Sequence, residues 1–143
     1  MLYDRLAAMS ANLTATPTER IAWLNNETVP LSHRALWRLL DESDTRIGEL
    51  LGLDVPDLAL DDLMIKVRDS KEGPVEVDIT AETAVALRQL VGTRTEGPVF
   101  TTPAGARLSP TQAAEVFRTA TGMSLHVLRN DRRRRAAIKA LAA

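Results

Sequence analysis

The spacing of apolar residues changes along this chain, and that change limits the folds that it can adopt. In two short runs, apolar residues alternate with polar ones, which is typical of a strand with one buried face. The runs are Leu63, Ile65 and Val67, followed by Val75, Val77 and Ile79. Turn-forming residues separate them, in the order Asp69-Ser-Lys-Glu-Gly-Pro74. The pattern predicts an antiparallel β-hairpin.

Most of the remaining chain shows helical spacing. The predicted helices cover residues 1–14, 16–26, 45–53, 80–91 and 109–121, and others begin at residue 31 and contain residues 124–135. Residues that commonly cap helices stand at four of the starts: Thr16, Ser32, Thr80 and Ser109. Val99 and Phe100 are expected to form a short strand. The predicted fold class is α+β and mainly helical, with helices around a small antiparallel β-hairpin.

The composition is that of a globular protein. Of the 143 residues, 45% are hydrophobic, which is enough for one domain with a core that includes Trp23 and Trp37. The absence of cysteine excludes disulfides, thiolate metal sites and a cysteine nucleophile. No apolar run approaches the roughly 20 residues that span a bilayer, and the N-terminus lacks the pattern of a signal peptide. We therefore expect a cytoplasmic protein without membrane contact.

The sequence contains no pattern that indicates a cofactor or a metal. Its two histidines, His33 and His126, are too far apart to show the spacing of metal ligands. Its seven glycines are scattered rather than gathered in a phosphate-binding loop. We therefore expect no cofactor, no metal and no small-molecule substrate.

A group of basic residues lies near the C-terminus, although the chain as a whole has a formal net charge of -1. A protein that coats nucleic acid usually has a basic surplus, so any contact with DNA must come from local clustering. The cluster comprises Arg132, Arg133, Arg134, Arg135 and Lys139. Because residues 130–135 include no apolar side chain, we expect this segment to be exposed, or to meet DNA or an acidic partner.

His126 and Arg129 precede this cluster and lie three residues apart. On a helix, residues with this spacing share a face. A guanidinium offers a planar fork of donors to a phosphate, and an imidazole exchanges protons near neutral pH. The pair is therefore a candidate phosphate site, although a neutral histidine hydrogen-bonded at a helix start is an open alternative.

Residues 35–129 resemble the catalytic domain of tyrosine recombinases, the phage-integrase family. The family's first motif reads roughly Thr-Gly-Leu-Arg-x-x-Glu-Leu, and Arg46 and Glu49 match its arginine and glutamate. The second reads His-x-Leu-Arg, and it is matched by His126, Leu128 and Arg129. Between them, Lys71 lies in the hairpin turn, where the family usually carries a lysine. The resemblance implies that residues 31–143 form a partial recombinase catalytic-like domain after an N-terminal helical segment, residues 1–30.

The resemblance also implies roles for these residues. Strand cleavage in the family joins a tyrosine to a DNA phosphate. Arg46 and Arg129 would hold the non-bridging phosphate oxygens, where charge grows in the transition state. Lys71 would donate a proton to the leaving oxygen, and His126 would assist as an acid–base group or hydrogen-bond donor.

The chain departs from the family at several points. Its one tyrosine is Tyr3, whereas the family's nucleophile follows the second motif, and the His or Trp of a third motif is missing. Asp44 and Thr45 replace the Gly-Leu before Arg46. We therefore expect a truncated or degenerate recombinase domain that does not cleave DNA on its own. It would bind double-stranded DNA or another recombinase, or form a homo-oligomer, in recombination or integration.

Two other functions remain open at this point. In the second, the fold serves as a protein–protein interaction or regulatory module whose arginine-rich helix meets an acidic partner. A partial recombinase completed by a tyrosine from another chain is the third. For single residues, the open alternatives are that Arg46 and Glu49 simply pair on a helix surface and that Lys71 is a solvated turn residue.

Overall fold

The computed structural model describes residues 15–142. Its elements, in chain order, are helices α1 (Pro17–Leu24), α2 (Leu31–Glu42) and α3 (Ile47–Leu51), strands β1 (Leu58–Ala59), β2 (Met64–Val67) and β3 (Val75–Asp78), and helices α4 (Ala81–Val91), α5 (Pro110–Thr121) and α6 (His126–Ala142). Short 3-10 turns, Val55–Asp57 and Leu60–Asp62, flank β1. The predicted α+β, mainly helical fold class is confirmed. The helix predicted over residues 1–14 lies outside the described residues.

The predicted hairpin is confirmed. Strands β2 and β3 pair antiparallel, with Ile65 opposite Val77 and Val67 opposite Val75. Ile65 and Val67 are buried and Lys66 between them is exposed, as expected of a strand with one buried face. Strand β1 pairs with β2 as well and makes the sheet three-stranded. Sequence spacing did not predict β1, because two residues are too few to show alternation.

Three of the four predicted helix caps are confirmed. The hydroxyls of Thr16, Thr80 and Ser109 each accept a hydrogen bond from the backbone N–H three residues later. The prediction for Ser32 is wrong, because α2 begins at Leu31 and no side chain caps it. The carbonyl of Pro30 already accepts two helical hydrogen bonds, so Ser32 lies inside the first turn and not before it.

Val99 and Phe100 are fully buried, but the prediction that they form a strand is wrong. The Val99 N–H donates to the Leu53 carbonyl, and the Phe100 carbonyl accepts from the Leu108 N–H, both at 3.0 Å. The two residues therefore bond to different segments, and pairing on either side is limited to isolated bridges. Burial alone, without a continuous partner, does not produce a strand.

Aromatic side chains join three helices at the centre of the core. Trp37 on α2 is fully buried, and its ring meets that of Phe117 on α5 edge to face, with centroids 5.0 Å apart. Trp23 on α1 approaches the same Phe117 ring edge-on at 5.4 Å. Both tryptophans thus belong to the core or its margin, as predicted.

Ala15, Leu24 and Val29 belong to the same core cluster as the later helices. The division of the chain into residues 1–30 and 31–143 stays a prediction. Within residues 15–142, no helix has both the length and the apolar character needed to cross a membrane.

Candidate anion-binding site

A pocket of about 600 Å³ opens where the starts of α3 and α6 meet α5. Its apolar lining consists of Leu40, Ile47, Pro110, Ala114 and Leu125. Its polar lining consists of Arg46, Thr111, Arg118, Ser124, His126 and Arg129. Three arginines and one histidine therefore line a single cavity. Among residues 15–142, no carboxylate lines it, and such a composition suits an anion.

Arg46 reaches the pocket because its backbone forms the start of α3. Its φ and ψ angles of −87° and 153° are those of a residue just before a helix. Its N–H donates to Glu49 Oε1 at 3.1 Å, and its carbonyl accepts from the Leu50 N–H at 3.1 Å. Within residues 15–142 the Arg46 guanidinium takes part in no ion pair. Glu49 thus bonds the backbone of Arg46 rather than pairing with its side chain.

His126 and Arg129 lie in the first turn of α6 and line the same pocket, as their spacing predicts. The His126 N–H lies 3.4 Å from Ser124 Oγ, its acceptor. The Arg129 side chain is one-quarter exposed, and its Nε donates to Asp44 Oδ1 at 3.4 Å. The two segments that carry the resemblance, 80 residues apart in the sequence, therefore meet at one cavity.

Arg118 is a pocket residue that the sequence reasoning did not identify. It lies in the last turn of α5 and is exposed. Thr111, Ala114 and Arg118 all line the pocket, and their spacings of three and four place them on one helix face. The predicted helix already placed these three residues on one face. The sequence did not indicate, however, that this face meets the starts of α3 and α6.

Lys71 does not line the pocket. It is exposed in the turn between β2 and β3. The structure therefore brings together three of the four residues that the resemblance singles out, Arg46, His126 and Arg129, and leaves Lys71 apart. Its catalytic role stays a prediction.

The arginine-rich part of α6 differs from the expectation. The prediction that residues 130–135 are exposed or face another molecule is wrong for Asp131, whose exposed fraction is 0%. Asp131 accepts from Arg134 at 3.2 Å and from Arg135 at 3.1 Å on its own helix, and from Arg20 on α1 at 2.6 Å. This one carboxylate is buried because oppositely charged side chains surround it.

The acidic partners of the other arginines also come from this chain. Arg135 donates to Asp41 on α2 at 2.7 Å. Arg133 donates to Asp44 at 3.2 Å, and Arg132 lies 3.7 Å from the same carboxylate. Lys139 is exposed and forms no ion pair within residues 15–142. The proposed contact of Arg132, Arg133, Arg134, Arg135 and Lys139 with DNA or a partner stays a prediction.

The carboxylates of Asp41 and Asp131 lie close together in this network, and opposing effects act on the pKa of Asp41. Burial raises the pKa of Asp41, while Arg135 and Arg20 act to lower it and Asp131 raises it further. In the described part of the chain, no group of three or more His, Asp or Glu side chains is placed to hold a metal ion.

Comparison with known proteins identifies the fold. The sequence matches no protein-family model and no curated protein. Solved structures do match: XerA recombinase superposes with a TM-score of 0.69 at 20% identity over 81% of this chain. The Tn1549 transposon integrase in complex with transposon right end DNA gives 0.66 at 14% over 85%. A lambda integrase dimer bound to a COC' core site gives 0.64 at 21% over 85%.

These matches cover 46%, 52% and 50% of the three solved chains, so this chain spans about half of their length. Identities of this size establish the fold and leave the chemistry to be argued from the site. The chain has a tyrosine-recombinase-like fold, and the resemblance predicted from its motifs is confirmed at that level.

Proposed function

We propose that this protein binds double-stranded DNA by holding a backbone phosphate in the pocket between α3, α5 and α6, and that it does so without cleaving the strand. The observation that carries the proposal is the convergence of Arg46, Arg118, His126 and Arg129 on one cavity that no carboxylate lines among the described residues. These groups come from three separate segments of the chain. An arginine that is merely solvated at the surface has no need of cationic neighbours from other segments.

The chemistry of the pocket suits a phosphodiester. Guanidiniums bind non-bridging phosphate oxygens in a bidentate manner, and two of them on opposite sides fix the orientation of the group. His126 adds a hydrogen-bond donor at the start of α6, where the helix dipole also favours negative charge. The apolar side of the pocket lowers the local polarity beside these groups, which strengthens their interactions.

The absence of cleavage is inferred from the nucleophile. The one tyrosine of this sequence is Tyr3, far in sequence from the His126–Arg129 motif that a tyrosine must approach. Lys71 is also outside the pocket. With no tyrosine among residues 15–142 and no lysine at the pocket, these arginines hold a phosphate but have no cleavage step to accelerate.

The solved structures of similar fold support DNA as the ligand. The Tn1549 integrase was solved with transposon right end DNA and the lambda integrase with a COC' core site. For this chain, a part in recombination or integration, beside another recombinase or as a homo-oligomer, belongs to the same proposal.

The proposal is tested by fluorescence anisotropy of a labelled duplex titrated with the protein at low and near-physiological salt. Replacing Arg46 and Arg129 together by alanine should weaken binding by at least about tenfold, since each charged hydrogen bond contributes about 1.5–3 kcal/mol. Arg88→Ala, outside the pocket and paired with Asp61, is the control. Unchanged binding in the pocket variant would rule out this site.

Replacing Arg132, Arg133, Arg134 and Arg135 by alanine distinguishes DNA binding by the pocket from DNA binding by the α6 cluster. If only this variant loses affinity, for every duplex alike, then the basic cluster and not the pocket holds DNA. A denaturing gel after incubation with DNA tests the absence of cleavage: a covalent protein–DNA species would contradict it and would point to Tyr3, the one tyrosine of this sequence.

A second candidate function, protein–protein contact, is favoured by the far end of α6. Ile138 and Leu141 are 57% and 87% exposed, and Lys139 lies between them. Large apolar side chains exposed together often mark a contact surface. If the protein binds no duplex at low salt, this regulatory or interaction role becomes the leading hypothesis, with an acidic partner for the arginines of α6.

A further inference from the structure

Asp44 lies in the segment between α2 and α3, two residues before Arg46, and its carboxylate is shared by three arginines. A single oxygen, Oδ1, lies 3.4 Å from Arg129 Nε, 3.2 Å from Arg133 Nε and 3.7 Å from Arg132 Nη1. Arg129 is at the same time a lining residue of the pocket. An internal anion therefore sits at the edge of the cavity and contacts one of its guanidiniums.

The contact of Asp44 with Arg129, at 3.4 Å, is longer than the contacts that Asp41 and Asp131 make with the arginines of α6, at 2.7–3.2 Å. Charge-assisted hydrogen bonds usually measure about 2.7–2.9 Å, and Asp131 meets Arg20 at 2.6 Å. The Asp44 side chain is 51% exposed, whereas that of Asp131 is 1% exposed. Asp44 is therefore not stranded as a buried charge when its contacts break, and another anion on Arg129 can replace this carboxylate at little cost.

We propose, building on the proposed function, that Asp44 is an internal competitor for the ligand phosphate, and that it sets the affinity of the pocket by occupying Arg129, Arg132 and Arg133 until a phosphodiester displaces it. In the exchange no covalent bond changes: the Asp44 carboxylate turns into solvent, and a non-bridging phosphate oxygen takes its place on Arg129. Arg132 and Arg133 are released in the same step and become available to the neighbouring phosphates of the strand.

The Asp44 carboxyl group is ionised at neutral pH and can therefore compete with a phosphate. Partial burial acts to raise the pKa of Asp44, but hydrogen bonds and charge from Arg133 and Arg129 outweigh it and hold the pKa below its usual range. Asp44 therefore stays ionised, and every phosphate that enters must displace a full negative charge. The resembling recombinase motif has glycine at this position, where no such charge arises.

Asp44→Asn tests the proposal in the duplex titration. Exposed ion pairs are weak, so we expect the affinity to rise about three- to fivefold when the shared charge is removed. The slope of log K against log salt should stay similar, because the same arginines reach phosphates in both complexes once Asp44 has been displaced. The melting temperature should fall at the same time, since three intramolecular contacts are lost. A role limited to stability would not raise affinity.

Three control variants make the interpretation specific. Asp61→Asn removes an exposed carboxylate that pairs with Arg88 and does not line the pocket, so it measures the effect of overall charge. Asp44→Glu keeps the charge and should keep the low affinity. In the Arg129→Ala background, the gain from Asp44→Asn should shrink, because the contact with the pocket guanidinium no longer exists to be released.

The outcomes separate this proposal from the proposed function. A gain in Asp44→Asn beyond that in Asp61→Asn supports the competitor, even if the unmodified protein binds too weakly to measure. Equal affinities of these two variants, with binding that still depends on Arg46, would overturn the competitor and leave the pocket in place. If the unmodified protein and the Asp44→Asn variant are both folded and neither binds a duplex, both proposals are wrong.

Discussion

The guanidinium of Arg20 donates to the carboxylate of Asp131 at 2.6 Å, which joins helices α1 and α6 across 111 positions of sequence. The same carboxylate accepts from Arg134 and Arg135, and Arg135 continues to Asp41 on α2. Through these contacts the first described helix, α2 and the last helix share one ionic network. The position of α6, and hence of His126 and Arg129 at its start, depends in part on this network.

Asp131→Ala should therefore destabilise the protein strongly. Removing one partner from a buried ionic network costs about 3–5 kcal/mol, because the remaining charges lose their compensation. Urea unfolding followed by far-UV circular dichroism measures the loss. Asp61→Ala, whose side chain is 91% exposed, should change the free energy of unfolding by less than about 0.5 kcal/mol. Similar values for the two variants would contradict a structural role of the network.

Phe117→Ala should lower the free energy of unfolding by about 3–5 kcal/mol, the usual cost of removing a buried aromatic ring. Phe117 is fully buried and meets both Trp23 and Trp37 edge to face, so the cavity borders three helices. Tryptophan fluorescence during denaturant unfolding reports the change directly. The control is Val85→Ala on α4, because the Val85 side chain is 53% exposed. A comparable loss of stability in this variant would show that helix content rather than the aromatic cluster limits stability.

His33 should make stability depend on pH. Burial lowers the pKa of His33, and its Nδ1 has no hydrogen-bond partner among the described residues. The unfolded chain, with a histidine pKa of about 6.5, then binds more protons than the folded one below that pH. The stabilising contribution is complete above about pH 6.5 and is lost as the pH falls through the lower pKa of the folded state.

The measurement is the melting temperature of the protein and of His33→Leu between neutral and mildly acidic pH. We expect the unmodified protein to lose stability on acidification and His33→Leu to lose less, because the apolar side chain has no proton to bind. At neutral pH the variant should be about as stable as the original, since the buried Nδ1 forms no hydrogen bond that the change would break. Parallel curves for the two proteins would contradict the prediction.

Arg118→Ala should weaken duplex binding without lowering stability. Arg118 lines the pocket and forms no ion pair within residues 15–142, so little else depends on it. If it contacts one phosphate, the slope of log K against log salt should decrease in magnitude by about 1. Lys66→Ala, an exposed cation on β2 outside the pocket, controls for overall charge. An equal effect of both changes would mean that Arg118 acts only through the overall positive charge of the protein surface and not through a phosphate contact.

Local sequence patterns predicted the local structure well. The alternation of Ile65 and Val67 with polar neighbours predicted β2, since side chains of a strand alternate between its faces. Thr16 and Ser109 marked helix starts because their hydroxyls accept backbone N–H groups within the next turn. The prediction failed at Val99 and Phe100, whose hydrogen-bond partners, Leu53 and Leu108, lie in other segments.

The sequence by itself therefore determined the helices, the hairpin and, through the motif resemblance, the association of Arg46, His126 and Arg129. Only the tertiary structure decided that Arg118 joins them, that Lys71 does not, that Asp131 is buried and that Asp44 contacts Arg129. The reason is physical: an apolar period shows which face of an element is buried, but the environment of a charge depends on the charges placed around it. Those partners lie up to 111 residues away in the chain, and no local spacing records them.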